Sequence, residues 1–571
     1  MRRIHLLAAA ALVVAPLALP ASAKPHGHHP DGVRVGTAVV DVTPAADDPQ
    51  YLGGFGKMDA PTARALDPLQ IRAFVVRRGP QVAAFAIVDV QGWFAGYQEG
   101  PYGITDAREQ VGGWLAKNGS PGAGPQNVIV SSTHSHAAPT IMGIWGPTDV
   151  RWLKRVHDGT VAAIEQAAAT ARPAELWTAD AAVGEADGST VSQTDIYDGW
   201  TVDEKLPLLW ARDPKNHKTI GLYGNVPIHA DIVNGKALNA MSADHIGRER
   251  RALDDMLGGT SVLAMGTLGR QESIVQVGGL VESDRIAAFV TARIRKALAD
   301  AKPLRDPQIG GAEQHVLVPG TNPALLALIA INPAGSPCIP GADICAIDRS
   351  IEPPYMYGNL VGTWVTTLRI GDLLYVSEPG EAFPEVSDAL RRAVPGARVR
   401  IVGMGQDQLG YYYPAEDTPF TTVPNVSDHL QYNTSGALAD QNVQAAVTGA
   451  QALGFAASYV HPTPGIVDAA ARRNPGVQAF AAPADTSSLT TLLDVSWNSA
   501  IDGTPLVDQD TAPVTWHFGD GTTARSKGPI THTWPRAGRY TVTLSVADTA
   551  GRSRTASLVV DVGRPAAPLP H

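Results

Sequence analysis

Seven consecutive apolar residues, Val82-Ala83-Ala84-Phe85-Ala86-Ile87-Val88, run into Asp89. A strand this uniformly apolar has no face to offer water, so it must lie in a sheet covered on both sides. Val128-Ile129-Val130-Ser131-Ser132 has a similar character, and flanking strands are read at 33–42 and 71–76. Helical periodicity over 150–171 follows Asp149, a candidate cap, and stops at Arg172-Pro173. Further helices are read at 383–394, with Pro384 in the first turn, at 440–453, and over a stretch that begins at Ser283-Asp284 and ends near 301. Buried strands alternating with amphipathic helices predict a mixed α/β catalytic domain over residues 33–465.

The two ends of the chain read differently. Met1-Arg2-Arg3, an apolar run over 6–19 and Ala21-Ser22-Ala23 form the pattern of a secretory signal peptide, residues 1–23. The run is shorter than the ~20 residues a membrane span needs. The expected location is therefore secreted, extracellular. In that setting Cys338 and Cys345, the two cysteines of the chain, read as a small-loop disulfide. Residues 466–488, dominated by Ala, Pro, Ser and Thr, read as a linker. Residues 489–563 contain strand and turn signals only. Their Trp516-His517-Phe518-Gly519-Asp520-Gly521 and Gly538-Arg539-Tyr540-Thr541-Val542-Thr543-Leu544 resemble a PKD domain, a small immunoglobulin-like β-sandwich. With 45 basic against 55 acidic side chains the chain carries no basic excess, which argues against a nucleic-acid partner.

Three segments carry chemistry. Thr133-His134-Ser135-His136 sits at the end of the 128–132 strand. On an extended segment a spacing of two puts both imidazoles on one face. Such a pair suits metal ligation or acid–base work, or two hydrogen-bonded loop histidines. Val226-Pro227-Ile228-His229-Ala230-Asp231, with Ser242-Ala243-Asp244-His245 after it, places a polar cluster in an apolar stretch. Ser377-Glu378-Pro379-Gly380-Glu381 carries two carboxylates into a helix start, where an acid also complements the helix dipole.

Together these segments resemble the neutral (non-lysosomal) ceramidase family. The resemblance runs over 33–455 and includes Gly36 to Thr43, Arg72-Ala73-Phe74, Thr133-His134-Ser135-His136, Val202-Asp203 and Pro379-Gly380-Glu381. It implies one catalytic Zn2+ held by His134, His229, Glu381 and a tyrosine best matched by Tyr411, with Gln408 and Tyr412 close by. His136 is implied as a proton-transfer group and Tyr432 as a further active-site tyrosine. Asp231 or Asp244 would orient a ligand histidine. The implied activity is hydrolysis of an N-acyl bond in a lipid-like substrate by metal-activated water. The chain departs from the family at Gly269-Arg270-Gln271-Glu272-Ser273, where the family has Gly-Asp-x-Ser-Pro. Glu272 falls at the serine position and Ser273 one place late, so either is a candidate catalytic group. The family's Asn-Arg-Ser segment is also missing at 187–192. Two alternatives follow from these departures. One is a zinc esterase or amidase for a non-ceramide acyl substrate. The other is an inactive surface-binding protein that contacts a cell or membrane surface. The sequence leaves the oligomeric state open.

Overall fold

The computed structural model describes residues 32–53, 60–97, 100–143, 145–184, 193–195, 203–233, 235–269, 271–273, 279–319, 338–339, 344–345, 360–412, 438–460, 480–483, 490–494, 514–525, 530–547 and 553–562. The signal-peptide reading and Tyr432 lie outside these residues.

One order of elements recurs three times along the chain. The first unit comprises β1 (Arg34–Asp41), β2 (Gln70–Arg78), β3 (Gln81–Val88), α1 (Ile104–Lys117), β4 (Val128–Ser132) and α2 (Val150–Ala169). The short β5 (Arg172–Pro173) leads to the second: β6 (Glu175–Ala182), β7 (Gln193–Asp195), β8 (Lys205–Arg212), β9 (Thr219–Val226), α3 (Gly235–Leu238), α4 (Asp244–Leu257), β10 (Thr260–Met265), β11 (Gln271–Ser273) and α5 (Gly279–Ala299). After β12 (Lys302–Leu304) comes the third: β13 (Ile309–Pro319), β14 (Cys338–Ile339), β15 (Ile344–Cys345), β16 (Leu360–Ile370), β17 (Leu373–Ser377), β18 (Glu381–Ala382), α6 (Pro384–Ala393), β19 (Arg398–Val402), β20 (Tyr411–Tyr412) and α7 (Leu438–Ala452).

The three main sheets have orders β4-β3-β2-β1-β5, β10-β9-β8-β6-β12 and β19-β17-β16-β13. In each, two antiparallel pairings are followed by one parallel pairing: β3–β4, β9–β10 and β17–β19. A parallel neighbour needs a crossover, and a helix supplies it in every unit. Residues from all three sheets share one apolar core. At its centre Phe85 of β3, Tyr223 of β9 and Tyr375 of β17 meet with ring centroids 4.4, 4.9 and 5.6 Å apart. This is where the apolar run of β3 is buried. Asp89 just beyond it is buried too, in a two-pronged pair with Arg250 of α4 at 2.9 and 2.6 Å. Phe85→Ala removes a ring from a junction that three sheets share, and it should cost about 3–5 kcal/mol. Denaturant unfolding measures this; a loss under about 1 kcal/mol would mean the rings do not carry the junction.

The helix at 279–299 begins a turn before Ser283-Asp284, so those residues lie inside it rather than at its cap. Cys338 and Cys345 are direct partners across β14–β15, the backbone placement that a small-loop disulfide requires. The C-terminal strands are β21 (Phe480–Pro483), β22 (Thr490–Asp494), β23 (Val514–His517), β24 (Thr523–Arg525), β25 (Ile530–Thr533), β26 (Gly538–Ala547) and β27 (Ser553–Val562). They form sheets β21-β22-β25 and β24-β23-β26-β27. β21 lies within the segment read as linker. Its composition suggested a loop, but an edge strand tolerates alanine and proline because one side of its backbone needs no partner.

Candidate metal centre

In all three units the parallel strand pair ends at one place, and the candidate residues lie just past those carboxyl ends. His134 and His136 follow β4, His229 follows β9, Glu381 follows β17, and Gln408 and Tyr411 follow β19. The carboxyl ends of parallel strands are where open α/β sheets bind ligands. The strand ends are laced together there: Ser132 N–H reaches Met404 O, and Gly403 N–H donates to Met265 O at 3.0 Å.

The segment at His134 is a turn, not the extended strand expected from its sequence. His134 has φ +55°, a left-handed conformation that side chains rarely adopt, and such strain concentrates at functional positions. The turn aims both imidazoles at one point. His136 Nε2 lies 3.1 Å from His134 Nε2 and 3.2 Å from His229 Nε2. The three ring centroids are 4.8 to 5.0 Å apart. Glu381 Oε2 is 3.4 Å from His134 Nε2 and 3.8 Å from His229 Nε2.

His134 and Glu381 are held from behind. His134 Nδ1–H donates to the Gln91 carbonyl at 2.6 Å, which turns its Nε2 lone pair toward the cluster. Glu381 Oε1 accepts from Gln408 Nε2 at 3.1 Å, while Glu381 Oε2 is buried without a hydrogen bond. β18 and β20 pair Glu381 directly with Tyr411, whose side chain hydrogen-bonds the carboxylate. Tyr412, on the opposite face, donates to Glu378 at 2.9 Å. Burial pushes that carboxyl up to about 8. The alternation of a strand thus gives Tyr411 to the centre and Tyr412 to the core behind it.

Burial alone would neutralise Glu381 and His134. Instead, the imidazoles of His134 and His229, with the Tyr411 hydrogen bond, hold the Glu381 carboxyl well below the usual carboxylate range. The His134 imidazole is lowered by burial but raised further by Glu381. Imidazole nitrogens this close either share a proton in a hydrogen bond or hold a cation between them. Nitrogen ligands at the usual zinc distance of about 2.0–2.1 Å would be about 3.3 Å apart in a tetrahedral site, close to the spacings here. The donor set fits a divalent cation of the zinc type, and His134, His136 and His229 form a group able to hold one.

The remaining expected residues are placed as follows. Asp231 is half-buried and adds to the negative field at His134. Asp244 does not orient an imidazole: its oxygens accept N–H bonds from Val233 at 2.8 Å and from His245 at 2.6 Å, which fixes the loop after His229. Glu272 and Ser273 lie in β11, paired with β7. The backbone of their segment is joined to the centre on both sides. His229 N–H reaches Gln271 O at 3.3 Å, and Gly269 N–H donates to Ala382 O at 2.9 Å. Sequence reasoning missed Gln91 and Glu249 and read His245 only as part of a polar cluster. No motif marks Gln91, although the i, i+4 spacing of His245 and Glu249 was available.

The fold and the centre define a mixed α/β protein with a cluster of nitrogen and carboxylate groups able to hold a cation at its strand ends, followed by a β-sandwich. The model of the PKD domain family matches residues 473–562. Among solved structures the chain is similar to the neutral ceramidase from Pseudomonas aeruginosa, with 14% identity, a TM-score of 0.57 and coverage of 93% of this chain and 99% of that one. A structure described as ceramidase complexed with C2 matches with the same values. The chain therefore has the neutral ceramidase fold, as its sequence led us to expect. No curated protein matches it by sequence.

Proposed function

We propose that the protein is an exported zinc-dependent hydrolase that cleaves an N-acyl bond in a lipid-like substrate. The observation that carries this reading is the convergence of His134, His136, His229 and Glu381 at the strand ends of a ceramidase fold. His134, His229, Glu381 and Tyr411 would hold the metal. A zinc ion there supplies Lewis-acid polarisation of the scissile carbonyl and makes a water acidic enough to attack near neutral pH. The Gln91 carbonyl keeps the His134 proton on Nδ1. The imidazoles of His134 and His229, with Tyr411, keep Glu381 ionised, and Gln408 orients it. His136, half-buried with its Nε2 facing the same point, is placed to accept a proton and deliver it to the leaving nitrogen.

A second reading keeps the metal and changes the bond to an ester or a non-sphingoid amide. It is favoured by the bonds that join the altered 269–273 segment to both His229 and Ala382. Its substitutions therefore fall beside the donors. Assays of a short-chain N-acyl sphingoid, other N-acyl compounds and simple esters, with and without a chelator, test both. Release of fatty acid from the sphingoid amide that is lost on chelation and restored by zinc supports the first. Chelator-sensitive turnover of esters alone supports the second. No turnover of any acyl substrate contradicts both.

A further inference from the structure

The donors account for the polar groups facing the centre, but one fully buried ionisable pair behind it has no part in that account. His245 and Glu249 sit one turn apart on α4, and both side chains are wholly buried. His245 Nδ1 is 2.7 Å from Glu249 Oε1, and His245 Nε2 is 3.0 Å from the backbone carbonyl of His229. The carbonyl can only accept, so Nε2 carries a proton and donates to it, while Nδ1 and Glu249 share a proton between them. Burying such a pair costs several kcal/mol per ion and is a poor way to gain stability. It does fix a direction: the fork Glu249–His245–His229 O sets where that carbonyl points.

The consequences reach two imidazoles of the centre. With its N–H on Gln271 O and its carbonyl on His245, the His229 backbone is tied at both ends. The next carbonyl, of Ala230, accepts the His136 N–H at 2.9 Å. The peptide that His245 orients therefore carries the His229 ring on one side and anchors the His136 backbone on the other. Asp244 fixes the same loop from the helix start. We infer that His245, held by Glu249, is a positioning residue that sets the His229–Ala230 peptide and so tunes the affinity of the metal centre. This rests on the metal-centre reading given above.

The test is zinc affinity of the full-length protein, measured by competition with a chromophoric chelator, beside thermal unfolding of the zinc-free protein. His245→Ala should weaken zinc binding about 10- to 100-fold, the range seen when a group supporting a metal ligand is lost. His245→Gln keeps an N–H near the Nε2 position while leaving Glu249 without its imidazole partner. It should therefore lower the unfolding temperature yet bind zinc within about threefold of wild type. That split separates positioning from bulk stability. If His245→Ala does not fold, the Gln variant decides alone: a zinc affinity that falls in step with its stability overturns the inference. So does a folded His245→Ala that binds zinc like wild type. Wild-type protein that takes up no zinc overturns the metal-centre reading itself, and this inference with it.

Discussion

His229→Ala should leave a folded protein whose unfolding temperature no longer rises with zinc. A ligand that binds only the folded state stabilises it by about 2.7 kcal/mol at a hundredfold excess over Kd. The variant forfeits this gain because it loses one of the converging nitrogens. The loop itself should survive, since its tie to Gln271 and its tie to His245 both run through backbone atoms of residue 229. Acyl hydrolysis should fall by on the order of 10³-fold or more, the several kcal/mol of transition-state stabilisation that a metal supplies. Thermal scans with and without zinc, beside the hydrolysis assay, read both effects. A zinc-dependent shift equal to that of wild type would remove His229 from the ligand set.

Gly269→Ala should also be damaging, although it replaces no donor side chain. A Cβ at this position would stand 2.5 Å from the Glu381 carbonyl oxygen, 2.5 Å from the Phe383 ring and 2.8 Å from Ala382 O. Two of the three are backbone, so the ligand-bearing segment must move. A shift near 1 Å at reacting groups costs about 10²-fold in rate. We expect that loss in hydrolysis with the far-ultraviolet circular dichroism unchanged. Activity within threefold of wild type would show that this contact does not set the position of Glu381.

The strands of the first unit were legible because each is read by one rule. The apolar run gave β3, and the Val128 to Ser132 segment gave β4. Helices α2, α6 and α7 followed from periodicity and proline placement. Helix α4 was not legible, and the reason is physical. Its buried face carries Asp244, His245, Glu249 and Arg250 beside only two large apolar residues, Ile246 and Leu253, so few apolar residues mark it. Those polar residues are the ones that hold the centre and pair with Asp89. The threefold recurrence of units was likewise hidden. It lives in strand order and pairing sense, whereas the residues past each strand end differ: two histidines, one histidine, one glutamate. The residues that converge at the strand ends were named through the family resemblance and short motifs. What the motifs did not carry was the turn at His134, because a left-handed histidine has no sequence signature.

The metal content of the purified protein, measured by elemental mass spectrometry beside a His134→Ala control, bears on the whole account. The convergence of donors from three units predicts about one zinc per chain in the wild type and a loss of it in the control. No metal in the wild type, even after incubation with zinc, would contradict a metal centre at the strand ends and leave the cluster a set of hydrogen-bonded histidines.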